Sequence, residues 1–300
     1  MSEDIYNLTL QPDVYSVEKE RFNFTMKIKA SMLGLKKFPF GTAILTITVL
    51  AAYFALSSET PYIEDASLRS LALNSGNPQS IITHLFVHVG IFHLVGNLIP
   101  LVLFGLALEG ALLSIDVAVI FLLSGTAASL LFSLVNPTTP LIGASGGISG
   151  ILTAVMLVRP KAALFLLIAT PLAISFIIFP AIDFAGKFYE DNLAAKKVEL
   201  KQELKVAVAQ NRTPQAIQKI NKTLARTETQ IEITNEGKLR EAATPTDLLV
   251  HVYGAVIGGF YIYFFKRREL KNAEKEFVSI GESVFRLADG LSDALRRKKR

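Results

Sequence analysis

Long apolar runs separated by short polar segments occupy most of this chain, and the pattern predicts a set of membrane-spanning helices. A helix that crosses a bilayer needs about 20 consecutive, mostly apolar residues. Six runs approach that length, and prolines, glycines and charges interrupt the chain between them. The predicted spans cover residues 40–56, 92–108, 112–135, 145–158, 162–182 and 248–265. We therefore expect an all-α membrane protein built as a six-transmembrane-helix bundle.

The fourth run is short for a membrane span, and a polar loop of residues 136–144 precedes it. That loop contains Pro137 and Pro140, which would break a helix. Non-helical backbone at membrane depth is tolerated only when it is buried in protein or lines a wet cavity. Ser145 is therefore expected to begin its helix below the membrane surface.

Composition agrees with a membrane protein and excludes some chemistry. Only 19% of the 300 residues are charged, whereas a soluble protein carries about 25%. Cysteine is absent from the sequence, which excludes disulfides, a thiol nucleophile and a Cys-ligated metal. The first 22 residues lack the basic region and apolar core of a cleavable signal peptide.

Basic residues predict the orientation, because membrane proteins keep lysine and arginine near short cytoplasmic loops. They occur before the first run, between the fourth and fifth, and after the sixth: Lys27, Lys29, Lys36, Lys37, Arg159, Lys161, Lys266, Arg267 and Arg268. With six spans, these three positions lie on the same side of the membrane, and both termini are predicted to be cytoplasmic. The expected parts are a cytoplasmic segment (1–39), a membrane domain (40–265) and a basic tail (266–300). The lack of cysteine and of a secretory signal suits a prokaryotic inner membrane.

The tail ends in five consecutive basic residues, Arg296 to Arg300. Such a run can bind nucleic acid. Beside a final membrane span, contact with anionic lipid headgroups is the better interpretation. We therefore expect membrane lipids, and no nucleic acid, as partners of the tail.

Four polar residues converge near the same predicted face of the membrane. His93 and Asn97 are four residues apart and share one helix face. Ser145 opens the fourth span, and His251 lies about one turn into the sixth. Because the second, fourth and sixth spans run in the same direction, all four residues are expected to lie near the outer face of the membrane. Polar groups at membrane depth are costly, which favours a functional site.

The residue types at these positions suit acyl-transfer chemistry. A serine hydroxyl becomes nucleophilic when a base such as a histidine removes its proton. Attack on a peptide carbonyl creates an oxyanion, which needs preorganised donors. We assign Ser145 as nucleophile and His251 as base, and His93, Asn97 and the Ser145 backbone N–H as oxyanion donors.

Small residues explain how the serine and histidine helices could meet. Gly146 and Gly150 form one small-xxx-small pair, and Gly254 and Gly258 form another. Taken singly, however, a glycine pair is an ordinary packing feature. A lone serine in a span usually bonds a backbone carbonyl, and a lone histidine might bind metal or pass a proton. Their joint placement favours catalysis.

Four motifs of this chain resemble those of the rhomboid intramembrane serine proteases. They are His84, His88, His93 and Asn97 in the first outer loop and second span, Gly143-Ala144-Ser145-Gly146, the last-span His251, Gly254 and Gly258, and Glu109 near the inner end of the second span. The resemblance implies a six-helix, rhomboid-like bundle that cleaves transmembrane protein substrates with a Ser145–His251 dyad and without cofactor or metal. It implies oxyanion roles for His93 and Asn97, and structural or water-handling roles for His84, His88 and Glu109.

The chain departs from the family pattern at two places. Ser149 stands where many members have an aromatic residue that packs against the histidine. Gln79 and Ser80 replace a Trp-Arg pair that often precedes the loop histidines. Asp247 lies four residues before His251 and suggests a triad. Because the family uses a dyad, we interpret Asp247 as a helix-start residue.

A charged segment, residues 186–246, separates the last two runs, where the family usually has a short loop. Residues 187–210 show an amphipathic helical pattern with Glu/Lys neighbours, and Thr213 and Pro214 resemble the start of a second helix. We expect a helical insert whose two helices can form a hairpin. It could be a solvated appendage or could control substrate access, and the sequence favours neither.

Three other functions compete with proteolysis. A rhomboid-like protein that only binds membrane proteins is the main alternative, although inactive relatives usually lose the serine or histidine. A transporter would show an internal repeat, and none is evident. A soluble α/β-hydrolase fits Gly143, Ser145 and Gly147 as G-x-S-x-G, but that motif needs a preceding strand. The substrate and the oligomeric state are left open.

Overall fold

The computed structural model describes residues 38–57, 60–243 and 247–298, and the regular structure in these ranges is helical. The helices are α1 Phe40–Leu56, α2 Asp65–Leu71, α3 Ile91–Glu109, α4 Ser114–Val135, α5 Ser145–Val158, α6 Pro160–Ala173, α7 Phe179–Ala209, α8 Pro214–Ala243, α9 Leu248–Phe265 and α10 Arg267–Lys298. Two short 3₁₀ turns, Pro78–Ile81 and Thr83–Phe86, lie between α2 and α3, and a π-helical turn, Ile174–Ile178, joins α6 to α7.

Four helical segments are long and apolar enough to cross a membrane: α3, α4, α9 and the continuous helix of residues Pro160–Ala209. The apolar helices α1 and α5 are shorter, with 17 and 14 residues. Helices α1, α5 and α9 begin and end at the predicted residues, and α3 differs by one residue at each end.

Three predicted helix limits differ from the structure by two residues or more, and one of them is the start of α6, which is Pro160 instead of residue 162. Helix α4 begins at Ser114, two residues late, because the Asp116 carboxylate accepts the Leu113 backbone N–H and fixes the helix start there. The fifth run was expected to end near residue 182, but the helix continues to Ala209. One glycine in a helix costs only about 1 kcal/mol, so Gly186 does not end it. The proposed boundary at residue 186 therefore lies within α7.

The short helix α5 lies at the centre of the bundle and packs against α3, α4, α6 and α9. Its buried face carries Ile151, Ala154 and Val155, which are fully enclosed. Large side chains of α3 and α4, such as Leu101 and Phe121, complete this core. The helix that begins with Ser145 is therefore the most enclosed element, and its position is set by its neighbours on several sides.

Glycines set the close approach of α5 and α9. A Cβ atom on Gly254 would overlap the Gly146 carbonyl, and one on Gly258 would overlap the backbone of Gly150. Backbones this close exclude any larger residue, and such contacts are typical of helix pairs in lipid. The two predicted glycine pairs thus lie at one interface, and they bring the starts of α5 and α9 together.

Two carboxylates join helices at the end of the bundle away from Ser145, which we call the far end. Glu109 Oε1 accepts the backbone N–H and the hydroxyl of Thr42 at 2.6 and 3.0 Å, and its Oε2 accepts the Ser114 hydroxyl at 3.1 Å. Asp116 accepts the Tyr261 hydroxyl at 2.7 Å and pairs with Lys266 at 2.7 Å. These contacts tie α1, α3, α4 and α9 together.

The charged segment forms a helical hairpin of α7 and α8. Its small core contains Leu200, Ala207 and Ile220. Ion pairs join the two helices, and their order, Glu190 with Lys238 and Lys197 with Glu228, shows that α7 and α8 are antiparallel. At the start of α8, the Thr213 hydroxyl accepts the Ala216 N–H at 3.4 Å, and Pro214 is the first helical residue.

Helix α10 continues the chain after α9 and contacts α5 and α6. The backbone N–H of Lys161, at the start of α6, donates to Glu276 of α10 at 3.3 Å. The predicted cytoplasmic segment up to residue 37, which includes Lys27, Lys29, Lys36 and Lys37, lies outside the described residues, as do residues 299–300. Within the basic tail, Arg267–Lys298 is helical.

Candidate active site

A cavity of 590 Å³ opens at the end of the bundle where α3, α5 and α9 begin, which we call the site end. Four polar residues predicted from the sequence line it: His93, Asn97, Ser145 and His251. The count of spans alone placed these residues at one side of the membrane. The structure brings them into a single cavity.

Ser145 is the first residue of α5, and the preceding loop holds it in place. Gly143 has φ +107°, a conformation that side-chain-bearing residues rarely adopt, and its N–H donates to the His84 carbonyl at 2.9 Å. A Cβ atom at position 143 would lie 2.8 Å from His93 Nε2. Glycine therefore serves both the turn and the close approach of the imidazole, and the predicted loop of residues 136–144 reaches the cavity as expected.

His251 lies in the first turn of α9, and the contact of Gly254 with Gly146 places it above the start of α5. Asp247 occupies the N-cap position of α9, as a helix-start residue would, although its side chain makes no capping bond. In the described residues, Ser145 Oγ and the His251 ring share no hydrogen bond.

His93 and Asn97 share one face of α3. The Asn97 amide donates to the His93 carbonyl one turn earlier at 2.9 Å, so it must rotate to reach a substrate. His93 Nδ1 is buried and has no hydrogen-bond partner in the part of the chain that the structure describes, while its Nε2 lies against Gly143. The His93 side chain is thus the better placed of the two donors in this conformer.

The two loop histidines are buried, which fits structural roles. The His84 ring bonds the Ser80 carbonyl and the Ser129 hydroxyl, both at 2.8 Å, and burial lowers its pKa to about 4. Burial, together with nearby His93, lowers the pKa of His88 to about 3. Both rings are therefore neutral near pH 7, and the His88 ring packs edge-on against that of His93 with centroids 5.0 Å apart.

Ser149, which replaces the family's usual aromatic residue, also lines the cavity. Its hydroxyl donates to the Ser145 carbonyl at 2.9 Å, one turn earlier on α5. Ser149 and His251 both line the cavity, and the hydroxyl of Ser149 is used within its own helix. Among the described residues, no group of three His, Asp or Glu side chains is arranged to hold a metal ion.

Glu241, on the last turn of α8, is a cavity residue that sequence reasoning missed. Its Oε1 accepts the backbone N–H of His93 at 2.5 Å. Burial raises the pKa of Glu241, although the N–H groups of His93 and Phe92 act in the opposite direction. Residue 241 is 148 positions from His93 in a segment with many glutamates, so no local pattern distinguishes it.

The wall between α3 and α7 is also formed by residues that no motif marked. The rings of Phe92 and Phe179 meet edge-on with centroids 5.2 Å apart, and both line the cavity. Phe179 begins α7 immediately after the π-helical turn. Only the folded arrangement shows that these two aromatic residues face each other.

Comparison with known proteins gives a consistent family. Residues 75–201 match the Rhomboid domain. The chain is 30% identical over 87 residues to RHOMBOID-like protein 1 of Arabidopsis thaliana, 36% over 76 residues to RHOMBOID-like protein 6, mitochondrial, of the same organism, and 37% over 67 residues to Rhomboid-related protein 2 of Mus musculus. These matches cover 29%, 25% and 22% of this chain.

The matched stretch spans only 22%, 25% and 22% of the length of these relatives. No solved structure matches the chain. The domain match includes His93, Asn97 and Ser145 but ends before His251, whose place rests on the geometry of α9. Together with the apolar helices, the match indicates a multi-pass integral membrane protein.

Proposed function

We propose that this chain, which belongs to the rhomboid family, is an intramembrane serine protease that cleaves peptide bonds in transmembrane protein substrates. The observation that carries the proposal is that Ser145 and His251 line one cavity with His93 and Asn97. A serine, a base and oxyanion donors around one enclosed space are the parts that acyl transfer requires.

In the proposed reaction, His251 takes the proton of Ser145 Oγ as the oxygen attacks the scissile carbonyl carbon. The C–N bond then breaks, and His251 gives the proton to the departing amine. Water, activated by the same imidazole, hydrolyses the acyl-enzyme and restores the Ser145 hydroxyl. No cofactor takes part in these steps.

The oxyanion would lie beside three donors. The Ser145 backbone N–H belongs to the first turn of α5 and has no helical partner, so it can point at a ligand. His93 can donate from Nε2, which lies next to the loop of Gly143. The Asn97 amide would leave the His93 carbonyl and turn toward the substrate. Removal of one such donor typically lowers the rate by about 100- to 1000-fold.

The proposed topology has six spans, which adds α1 and α5 to the four longer helical segments. Helix α5 would be only about 21 Å long at 1.5 Å per residue, shorter than the hydrocarbon core of about 30 Å. This shortness is consistent with a serine that begins below the surface in a water-filled cavity. Both termini would be cytoplasmic, the basic tail would contact anionic lipids, and the membrane would be a prokaryotic inner membrane.

Orientation can be tested with a single cysteine, because the chain has none of its own. Gln210 is exposed at the tip of the hairpin, where α7 ends. In Gln210→Cys, an impermeant maleimide should label intact spheroplasts. Labelling only after lysis would place the hairpin in the cytoplasm and overturn the six-span orientation.

The catalytic proposal is tested by purified wild type and Ser145→Ala with a fluorophosphonate probe and a tagged single-span substrate. Wild type should be labelled and should cleave, whereas Ser145→Ala should do neither. Ser149→Ala is the matched control, because it removes a hydroxyl from the same cavity one helical turn away. Wild type that binds the substrate without labelling or cleavage would indicate the alternative, a rhomboid-like binding protein.

A further inference from the structure

The hairpin reaches the cavity through one side chain. Glu241 lies on the last turn of α8, and its carboxylate accepts the backbone N–H of His93. His93 is the third residue of α3, so the bond falls on the first turn of that helix. Through this contact, a segment outside the apolar bundle touches the backbone of a residue proposed to stabilise the oxyanion.

Helix α3 lacks a cap of its own. Its N-cap residue is Gly90, which has no side chain to accept an N–H. The first N–H groups of a helix have no helical acceptor, and the helix dipole favours a negative charge there. The Glu241 carboxylate supplies both the acceptor and the charge from another part of the chain. Glycine also makes room, because a Cβ at position 90 would lie 2.7 Å from Glu241 Oε2.

Neighbouring contacts hold the end of α8 in this position. Arg240 donates to the Ile63 carbonyl at 3.2 Å and pairs with Asp65 at 3.4 Å. Gly237 is buried against the ring of Tyr62, where a Cβ would overlap. Tyr62 in turn forms a backbone bridge with Gly90, the residue that precedes α3. Glu241 is thus one of several contacts that fix α8 to the loop before α3.

We propose that Glu241 is a positioning residue for the reaction at Ser145: it holds the first turn of α3 in place and, through it, the His93 side chain. This inference rests on the proposed protease function. It makes the hairpin part of the working site, because the hairpin delivers the group that fixes one wall of the oxyanion pocket.

The Glu241 carboxylate is enclosed beside the cavity. Its Oε2 is buried and has no hydrogen-bond partner among the described residues. Burial also raises the pKa of Glu241, as expected of a carboxyl enclosed beside a cavity.

The main test compares Glu241→Ala, Glu241→Gln and wild type in steady-state cleavage of a reconstituted membrane substrate. Loss of the acceptor should lower kcat by about 10- to 100-fold, because misplacement of a stabilising group by an ångström costs that much. KM should change by less than about twofold. Glu241→Gln keeps an oxygen that can accept the N–H, so it should recover most of kcat. Glu236→Ala, an exposed glutamate on the same helix, should behave as wild type.

A second variant moves the carboxylate without removing it. Gly237→Val should collide with Tyr62, lift the end of α8 and lower kcat in the same way as Glu241→Ala. Hydrogen exchange supplies a readout independent of activity: the His93 amide should exchange faster in both variants. This measurement also decides the case if Glu241→Ala proves too unstable for kinetics, because wild type and Gly237→Val can be compared alone.

The outcomes distinguish the inference from the proposed function. An unchanged kcat in Glu241→Ala, or an unchanged exchange rate of the His93 amide in Gly237→Val, would overturn the positioning role while Ser145 remains the nucleophile. Cleavage that persists in Ser145→Ala would instead overturn the protease mechanism itself. A lower kcat that Glu241→Gln does not recover would also count against positioning by this hydrogen bond.

Discussion

Two glutamates cap the first turns of membrane helices at opposite ends of the bundle, and they differ in one respect. At the far end, Glu109 accepts the Thr42 N–H at 2.6 Å, and its second oxygen is bonded to Ser114. At the site end, Glu241 accepts the His93 N–H at 2.5 Å, but its second oxygen has no partner in the described ranges of the chain. The glutamate that only joins helices has hydrogen-bond partners for both carboxylate oxygens. The glutamate that borders the cavity has, among the described residues, a partner for one oxygen.

Other buried ionisable groups also differ between the two ends of the bundle in whether all their polar atoms have partners. Within the described residues, the ionisable side chains with a buried, unpartnered atom are His88, His93 and Glu241, all at the site end. At the far end, Asp116 has Tyr261, Lys266 and a backbone N–H as partners. Native proteins rarely leave buried polar atoms unpaired without a use. The far-end carboxylates thus use their oxygens to join helices, whereas His88, His93 and Glu241 at the site end each keep one buried atom without a partner among the described residues.

The largest expected effect belongs to His251. His251→Ala should lower cleavage by at least about a thousandfold, because no other proposed group takes the serine proton. The thermal unfolding midpoint in detergent should stay within a few degrees of wild type. A variant that lost stability together with activity would move His251 to the structural class and break the comparison.

Removal of the Asn97 amide should have the next largest effect. Asn97→Ala should lower kcat by about 100-fold or more with little change in KM, since the amide is proposed to act mainly in the transition state. The measurement is steady-state cleavage over a range of substrate density in liposomes. A change confined to KM would make Asn97 a ground-state contact.

A substitution at the far end should lower the stability of the protein instead of its rate of cleavage. Glu109→Ala leaves the Thr42 N–H and two hydroxyls without their acceptor and should lower the unfolding free energy by about 2 kcal/mol. The kcat of the folded fraction should be unchanged. Exposed Glu199 provides the control, and Glu199→Ala should alter neither quantity. A selective fall in kcat for Glu109→Ala would erase the distinction between the two ends.

The smallest expected effect is the pH dependence of His84. Its folded pKa, about 4, lies below the ordinary value of 6.5, so the unfolded chain takes up the proton first as the solution is acidified. Its contribution to stability is therefore complete above pH 6.5 and is lost as the pH falls towards 4, by about 1 kcal/mol at pH 5.5. The unfolding midpoint should fall less between pH 7 and 5.5 in His84→Asn than in wild type. Equal falls would show that His84 does not carry this dependence.

The fold was predictable to the extent that each helix carries its own signal. The extent of each apolar run predicted the first and last residues of α1, α5 and α9. Pro137 and Pro140 predicted the loop before Ser145. The end of the fifth span was not predictable in this way. Beyond residue 182 the chain changes from apolar to charged but keeps good helix formers, so the membrane boundary and the helix boundary separate.

The candidate site likewise contains residues that could be predicted from the sequence and one that could not. Ser145, His93, Asn97 and His251 could be proposed from sequence, because span parity and helical spacing bring them together. Glu241 could not, since its role depends on how the hairpin folds back onto the loop before α3. Residues whose place depends on long-range docking leave no periodic or spacing signal.

The helical segment from Pro160 to Ala209 is 50 residues long and includes the π-helical turn Ile174–Ile178. At 1.5 Å per residue it measures about 75 Å, against about 30 Å for the hydrocarbon core. The helix is therefore more than twice as long as a bilayer core is thick, and most of its residues would extend beyond a membrane that it crosses. Phe179 lies in this helix and forms part of the cavity wall, so one helical segment connects that wall to the tip of the hairpin.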